Sequence, residues 1–105
     1  MITITPRAAE QIRKSVEQTQ SQGLNLRIAV RREDDGSFDY GLGFDERKDG
    51  DTHFVSQDIG IVVSEGNKDF LLGAVLDFVE INPGDNRFIV INPNDPAHKP
   101  PARES

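Results

Sequence analysis

Leu24-Asn25-Leu26-Arg27-Ile28-Ala29-Val30-Arg31, then Arg32-Glu33-Asp34-Asp35-Gly36-Ser37, then Phe38-Asp39-Tyr40-Gly41-Leu42-Gly43-Phe44, is the stretch that decides the fold. Leu24, Leu26, Ile28 and Val30 alternate with polar or small residues, and Phe38, Tyr40, Leu42 and Phe44 do so again beyond an Asp-Gly turn. A period of two puts each set on one face of a strand, so the stretch reads as a β-hairpin with Asp35-Gly36 in its turn. Asp39, Gly41 and Gly43 fall on the opposite face. Two glycines there imply close approach of another backbone, either an inner layer or a partner subunit.

On the N-terminal side, Ile2-Thr3-Ile4 alternates as a short strand. Thr5 offers an N-cap hydroxyl and Pro6 the first helical position, where a missing N–H costs nothing. Ala8, Ala9, Ile12 and Val16 recur at helical spacing as one narrow apolar stripe. The helix is expected to end near Ser21-Gln22-Gly23, with Gly23 as a left-handed cap. On the C-terminal side, a charged loop over 45–51 leads to short strands at Thr52–Val55 and Ile59–Val63, the second alternating through Ile59, Ile61 and Val63. Lys68–Leu72 forms a helical turn closed by Gly73. Residues 74–81 read as a strand, although Leu76-Asp77-Phe78-Val79 is also compatible with helix. Asn82-Pro83-Gly84-Asp85 is turn chemistry. Phe88–Ile91 is apolar throughout and is expected to be buried on both faces. The prolines that follow imply a single domain over 1–94 and a flexible tail over 95–105. The fold class is therefore mainly β with one longer helix (α+β), a small two-sheet β-sandwich or flattened barrel with the N-terminal helix packed on it.

The chain has 105 residues and a formal net charge of −6. That charge disfavours a nucleic-acid partner, whose phosphates need Lys and Arg, and disfavours adsorption to anionic membranes. Arg27, Arg31 and Arg32 sit beside Glu33, Asp34 and Asp35 and read as surface charge balance. No apolar run approaches the ~20 residues of a membrane helix. The N-terminus lacks the basic-then-apolar pattern of a signal peptide, so a cytoplasmic location is expected. There is no cysteine, so no disulfide staples the fold and the core must hold it alone.

Few residues carry chemistry. Glu33-Asp34-Asp35 is the one dense carboxylate group with a defined place, at a hairpin tip, and hard cations favour such oxygens. Asp and Gly are equally what such turns prefer. His53 and His98 are the only histidines, and they lack the paired spacing of a zinc site. Ser37, Ser56 and Ser64 have no nucleophile elbow. Gly41-Leu42-Gly43 lies within a strand, with no helix or lysine to make a phosphate loop. No catalytic residues emerge, and the chain is not expected to be an enzyme.

The Leu24–Phe44 hairpin, Leu76-Asp77-Phe78-Val79-Glu80 and Phe88-Ile89-Val90-Ile91-Asn92-Pro93-Asn94 together resemble the A-type iron–sulfur carrier (HesB/IscA-like) domain over about residues 1–94. The resemblance implies the HesB-like fold, homodimers or higher oligomers, and protein partners among iron–sulfur cluster assembly components. It also implies a structural task for Asp77, such as capping nearby backbone. In that family one cysteine sits in the hairpin turn, and a Cys-Gly-Cys element follows the Asn-Pro-Asn segment. Counting without gaps places Asp35, Lys99 and Pro101 at those positions. Clusters are held by thiolates, whose soft sulfur matches the iron–sulfide core. A carboxylate, an ammonium and an imino acid dismantle such a site, so no cofactor is expected. Two readings follow. One is a non-catalytic protein-interaction module in iron–sulfur biogenesis. The other is an iron or other metal-binding protein using Glu33, Asp34 and Asp35 at the turn, with His98 brought over by the tail.

Overall fold

Thr5 ends the opening strand and starts the helix. In the computed structural model, which describes residues 2–95, its hydroxyl accepts the Ala8 N–H at 3.2 Å, and Pro6 opens α1 (Pro6–Thr19). The same hydroxyl donates to Asp77 Oδ1 at 2.6 Å, and that oxygen also accepts the Phe78 N–H at 2.8 Å. Asp77 thus does the structural work expected of it, tying the helix start to a strand. The helix ends earlier than its sequence suggests. Gln20, at φ 54, takes the left-handed cap, and the Ser21 N–H closes on the Val16 carbonyl. Thr19 Oγ1 has already taken the Ser15 carbonyl, and the apolar stripe has run out at Val16. Gly23 does take positive φ, but in the turn after the helix.

The strands are β1 (Thr3–Ile4), β2 (Asn25–Arg32), β3 (Phe38–Asp45), β4 (Thr52–Ser56), β5 (Ile59–Val63), β6 (Val75–Asn82) and β7 (Asp85–Ile91). A 3₁₀ turn at Glu65–Asn67 leads into a short α2 (Lys68–Leu71). The strands make two sheets, ordered β1-β6-β7 and β3-β2-β5-β4. The sheets do not close into a barrel, so the sandwich description holds and the flattened barrel does not. Leu76–Val79, compatible with helix by pattern, is strand because β6 is paired on both sides, by β1 and by β7.

Ile2, Ile4, Ala8, Ala9, Ile12, Leu26, Ile28, Ile61, Val63, Leu71 and Leu76 make the core. Each fully buried Ile or Leu contributes about 1.5–3 kcal/mol of transfer free energy. The Ile4 N–H donates to Ser56 Oγ at 2.9 Å and an Arg13 guanidinium nitrogen donates to the Gln57 carbonyl at 2.7 Å, fastening β1 and α1 to the β4–β5 turn. Ser56 is therefore a brace.

One burial expectation is corrected. Phe88, Ile89, Val90 and Ile91 are only partly buried. Phe88 and Val90 pack on the core, whereas Ile89 and Ile91 lie on the other face of a three-stranded sheet, which no second layer covers among the described residues. Leu24 is 40% exposed because it precedes β2 and sits in the turn its N–H closes on Ser21. Leu42 is 38% exposed because β3 is an edge strand. Among the described residues no helix is long and apolar enough to cross a membrane.

Candidate functional site

The β2–β3 tip is built by local hydrogen bonds. Asp35 Oδ1 accepts the Ser37 N–H at 2.9 Å and the Ser37 hydroxyl at 2.6 Å, while Gly36 takes φ +89. The Glu33 N–H reaches the Ser37 carbonyl at 2.8 Å and closes the loop. The Ser37 hydroxyl, then its N–H, holds the Asp35 carboxyl below the usual carboxylate range. Glu33 accepts from Arg31 Nε at 3.0 Å, and the same guanidinium reaches Asp39 at 3.1 Å. Two of the three candidate carboxylates are thus engaged by neighbours, Glu33 by a cation and Asp35 by its own turn.

Below the tip the two sheets are clipped together by Asn92, to which the sequence reading gave no structural role. Asn92 is 1% exposed. Its Nδ2 donates to the Phe70 carbonyl at 2.8 Å and to the Tyr40 hydroxyl at 3.1 Å. Its Oδ1 accepts from the Asn94 N–H at 3.0 Å and from Asn94 Nδ2 at 3.1 Å, and Asn94 Nδ2 also donates to the Leu72 carbonyl at 2.8 Å. Tyr40 then donates to Asp95 Oδ2 at 3.1 Å. The chain leaving β7 is therefore fixed against β3 and α2. An aromatic wall flanks the clip: Phe38 stacks edge-on with Phe70 at 5.5 Å, and the Arg32 guanidinium lies 5.9 Å from both rings.

Burial, opposed by the Asn92 hydrogen bond, pushes the Tyr40 phenol up to about 12 from 10.0. A phenol that stays protonated longer in the fold than in the unfolded chain contributes stability below pH 10, and that contribution is lost as pH rises from 10 to about 12. Tyr40 is the sole tyrosine. Ultraviolet titration should therefore show phenolate appearing near pH 12 in the native protein and near 10 in denaturant. A native midpoint at the ordinary value would refute the buried clip.

Among the described residues no three His, Asp or Glu side chains gather where they could hold a metal ion. His53 lies beside Gly60, where an added Cβ would fall 2.9 Å from its Nε2, and not at the tip. His98, Lys99 and Pro101, and the expected tail apart from Asp95, lie outside the described residues.

Two open sheets, an N-terminal helix on β6, and a last strand clipped beneath a long hairpin define the HesB/IscA-like fold. Crystal structures show how close the likeness is. IscA with the 2Fe–2S cluster matches with a TM-score of 0.75 and 26% identity, over 89% of this chain and 86% of that one. Escherichia coli SufA, involved in biosynthesis of iron–sulfur clusters, matches with a TM-score of 0.68 and 28% identity over the same shares. Residues 1–94 match the family model for iron–sulphur cluster biosynthesis. The iron–sulfur cluster insertion protein ErpA of Actinobacillus pleuropneumoniae serotype 3 is 33% identical over 94 residues, 89% of this chain and 82% of that relative. ErpA of Pseudoalteromonas atlantica is 35% identical over the same shares. The chain belongs to the iron–sulphur cluster biosynthesis family.

Its donors do not fit the family's cargo. A cluster needs thiolates, and this chain has no cysteine. The tip offers hard carboxylate oxygens, one of them already saturated by Ser37.

Proposed function

We propose that the protein is a non-catalytic interaction module of iron–sulfur cluster biogenesis, acting through protein contacts in the cytoplasm and unable to ligate a cluster through thiolates. One observation carries this reading: the family scaffold is kept from Thr3 through the Asn92–Asn94 clip in a chain without cysteine. Asp35, Lys99 and Pro101 stand where the family's cysteines would be, and none of them supplies a soft ligand. What remains is shape: a hairpin, an aromatic wall and an acidic surface that assembly components or a second copy would recognise.

Anaerobic incubation with ferrous iron and sulfide, followed by desalting, tests the first half. The protein should come away colourless and free of acid-labile sulfide, and stoichiometric labile sulfide would overturn the reading. Co-elution with purified cluster-assembly proteins from the same cell tests the second half, and failure to bind any of them would remove it. Stoichiometric iron without sulfide, lost in Asp35→Ala, would establish the alternative carboxylate site at 33–35 instead.

A further inference from the structure

The apolar stripe of α1 outlasts the surface it covers. Ala8, Ala9 and Ile12 are buried, but Val16, one turn further on, is only partly so. Between that turn, the start of β2 and the β4–β5 turn lies an open cavity of about 390 Å³. Its apolar lining is Ile12, Val16, Leu24, Leu26, Phe44 and Ile59. Leu24 is the most open of these, at 40% exposed. Ile12, Leu26 and Phe44 also line a second hollow of about 230 Å³, which continues toward Leu42 and Phe88. For scale, a closed apolar cavity of ~150 Å³ holds one benzene ring. The two hollows therefore take more than one large side chain, set side by side along a shared wall. That shape suits a chain segment with successive apolar anchors better than one compact small molecule.

The polar rim of the larger cavity is acidic. Glu17 and Asp58 both line it, and neither carboxylate has an ion pair among the described residues. Acids elsewhere on the four-stranded sheet are neutralised in place, Asp45 and Asp51 by Arg27, and Asp39 by Arg31. Glu17 also stands in the last turn of α1, where the backbone carbonyls concentrate negative charge. No basic residue sits in that turn to offset it. Arg13 reaches the lining too, but its guanidinium is turned to the Gln57 carbonyl at 2.7 Å. An apolar floor thus meets a rim whose negative charge this chain leaves uncompensated.

We propose that this groove docks a basic segment of a partner protein. Successive large apolar side chains of the segment fill the two hollows, and a Lys or Arg beside them meets Glu17, Asp58 and the end of α1. The charge argument selects the occupant. A net charge of −6 draws a basic segment in. It opposes a second copy of this chain, which would bring the same acids, and it opposes an anionic membrane. The groove gives the proposed interaction module a docking place and a partner chemistry, and to that extent rests on that reading.

Two short synthetic peptides with the same leucine pattern, one flanked by lysines and one by glutamates, test the groove on the full chain. The lysine peptide should shift the amide resonances of Val16, Leu24 and Phe44. It should also bind at least about tenfold more tightly than the glutamate peptide. Glu17→Lys combined with Asp58→Asn should reverse that order. A gain of glutamate-peptide binding cannot come from a misfolded variant, and Asn suits the φ of 62 at position 58. Leu24→Ser should weaken both peptides, because it removes an apolar wall and no charge. Equal affinities for the two peptides, or shifts confined to residues outside the groove, would overturn the docking site. So would groove variants that alter only self-association, since the occupant would then be a second copy. Co-elution with a cluster-assembly protein that survives all three substitutions would remove the groove and leave the role in biogenesis standing. Lysine-peptide binding in the groove without any such co-elution would keep the groove and remove the role.

Discussion

Asp35→Cys, Lys99→Cys and Pro101→Cys combined should turn a chain expected to retain no acid-labile sulfide into one that holds iron and sulfide in proportion. The difference is all or none, because it replaces three unsuitable donors by three soft thiolates on a scaffold of the right family. The scaffold should tolerate the change at the tip. Asp35 is exposed, and what it loses is an Asx contact to Ser37 that the turn's own Glu33–Ser37 backbone bond outlasts. Asp35→Cys alone should not suffice, since one thiolate with carboxylate neighbours is not a cluster ligand set. Iron and sulfide assays after anaerobic reconstitution and desalting give the readout, with circular dichroism to show that the variants are folded. A folded triple variant that holds no labile sulfide would mean that this lineage has altered more than its donors. The proposal that only the sulfur was lost would then fail.

The sequence made the alternating elements and the missing chemistry plain, and for the same reason: both are properties of residue type. Leu26 and Ile28 alternate because one face of β2 meets the core, and the pattern says so directly. Thr5-Pro6 announces a helix start because a hydroxyl and a missing N–H suit that position and no other. The absence of cysteine needs no structure at all. What escaped reading depends on which neighbours arrive. Gln20, Gln57 and Asp58 take positive φ without being glycine, so nothing in their type marks the helix end or the two-residue β4–β5 turn. Ile89 and Ile91 look like core because they are apolar, but burial on a second face needs a second layer, and among the described residues the three-stranded sheet has none there. At the site, the tip carboxylates and their charge balance with Arg31 were visible, but the hydrogen bonds of Ser37 to Asp35 were not. The Asn92 clip was hidden most completely. Asn92-Pro93-Asn94 stands out in the sequence only through the family resemblance, and only the fold brings the Phe70 carbonyl and the Tyr40 hydroxyl to the Asn92 amide.

Asn92→Ala should accordingly be among the most damaging single changes in this protein. The side chain is 1% exposed and uses both ends of its amide. Truncation leaves the Asn94 N–H without its acceptor and takes one donor each from Tyr40 and the Phe70 carbonyl, in a place water reaches poorly. An unsatisfied buried polar group costs about 1–3 kcal/mol, so the total loss should be about 2–4 kcal/mol. For a domain of this size that lowers the melting temperature by about 10–25 °C. Asn94→Ala should cost less, because Asn94 is exposed and water can replace its contacts. Asn92→Asp separates hydrogen bonding from packing. It keeps the acceptor for Asn94 but brings a negative charge against the Phe70 carbonyl, so its folded carboxyl should be pushed above the usual range. A carboxyl raised in the fold contributes stability while protonated and loses it as pH rises. Asn92→Asp should therefore lie closest to the parent in acid and fall away toward neutral pH, whereas Asn92→Ala should be deficient at both. Melting curves of the three variants across that range check this. Equal, pH-independent losses would show that Asn92 serves the fold by filling space and not by holding the last strand to the hairpin.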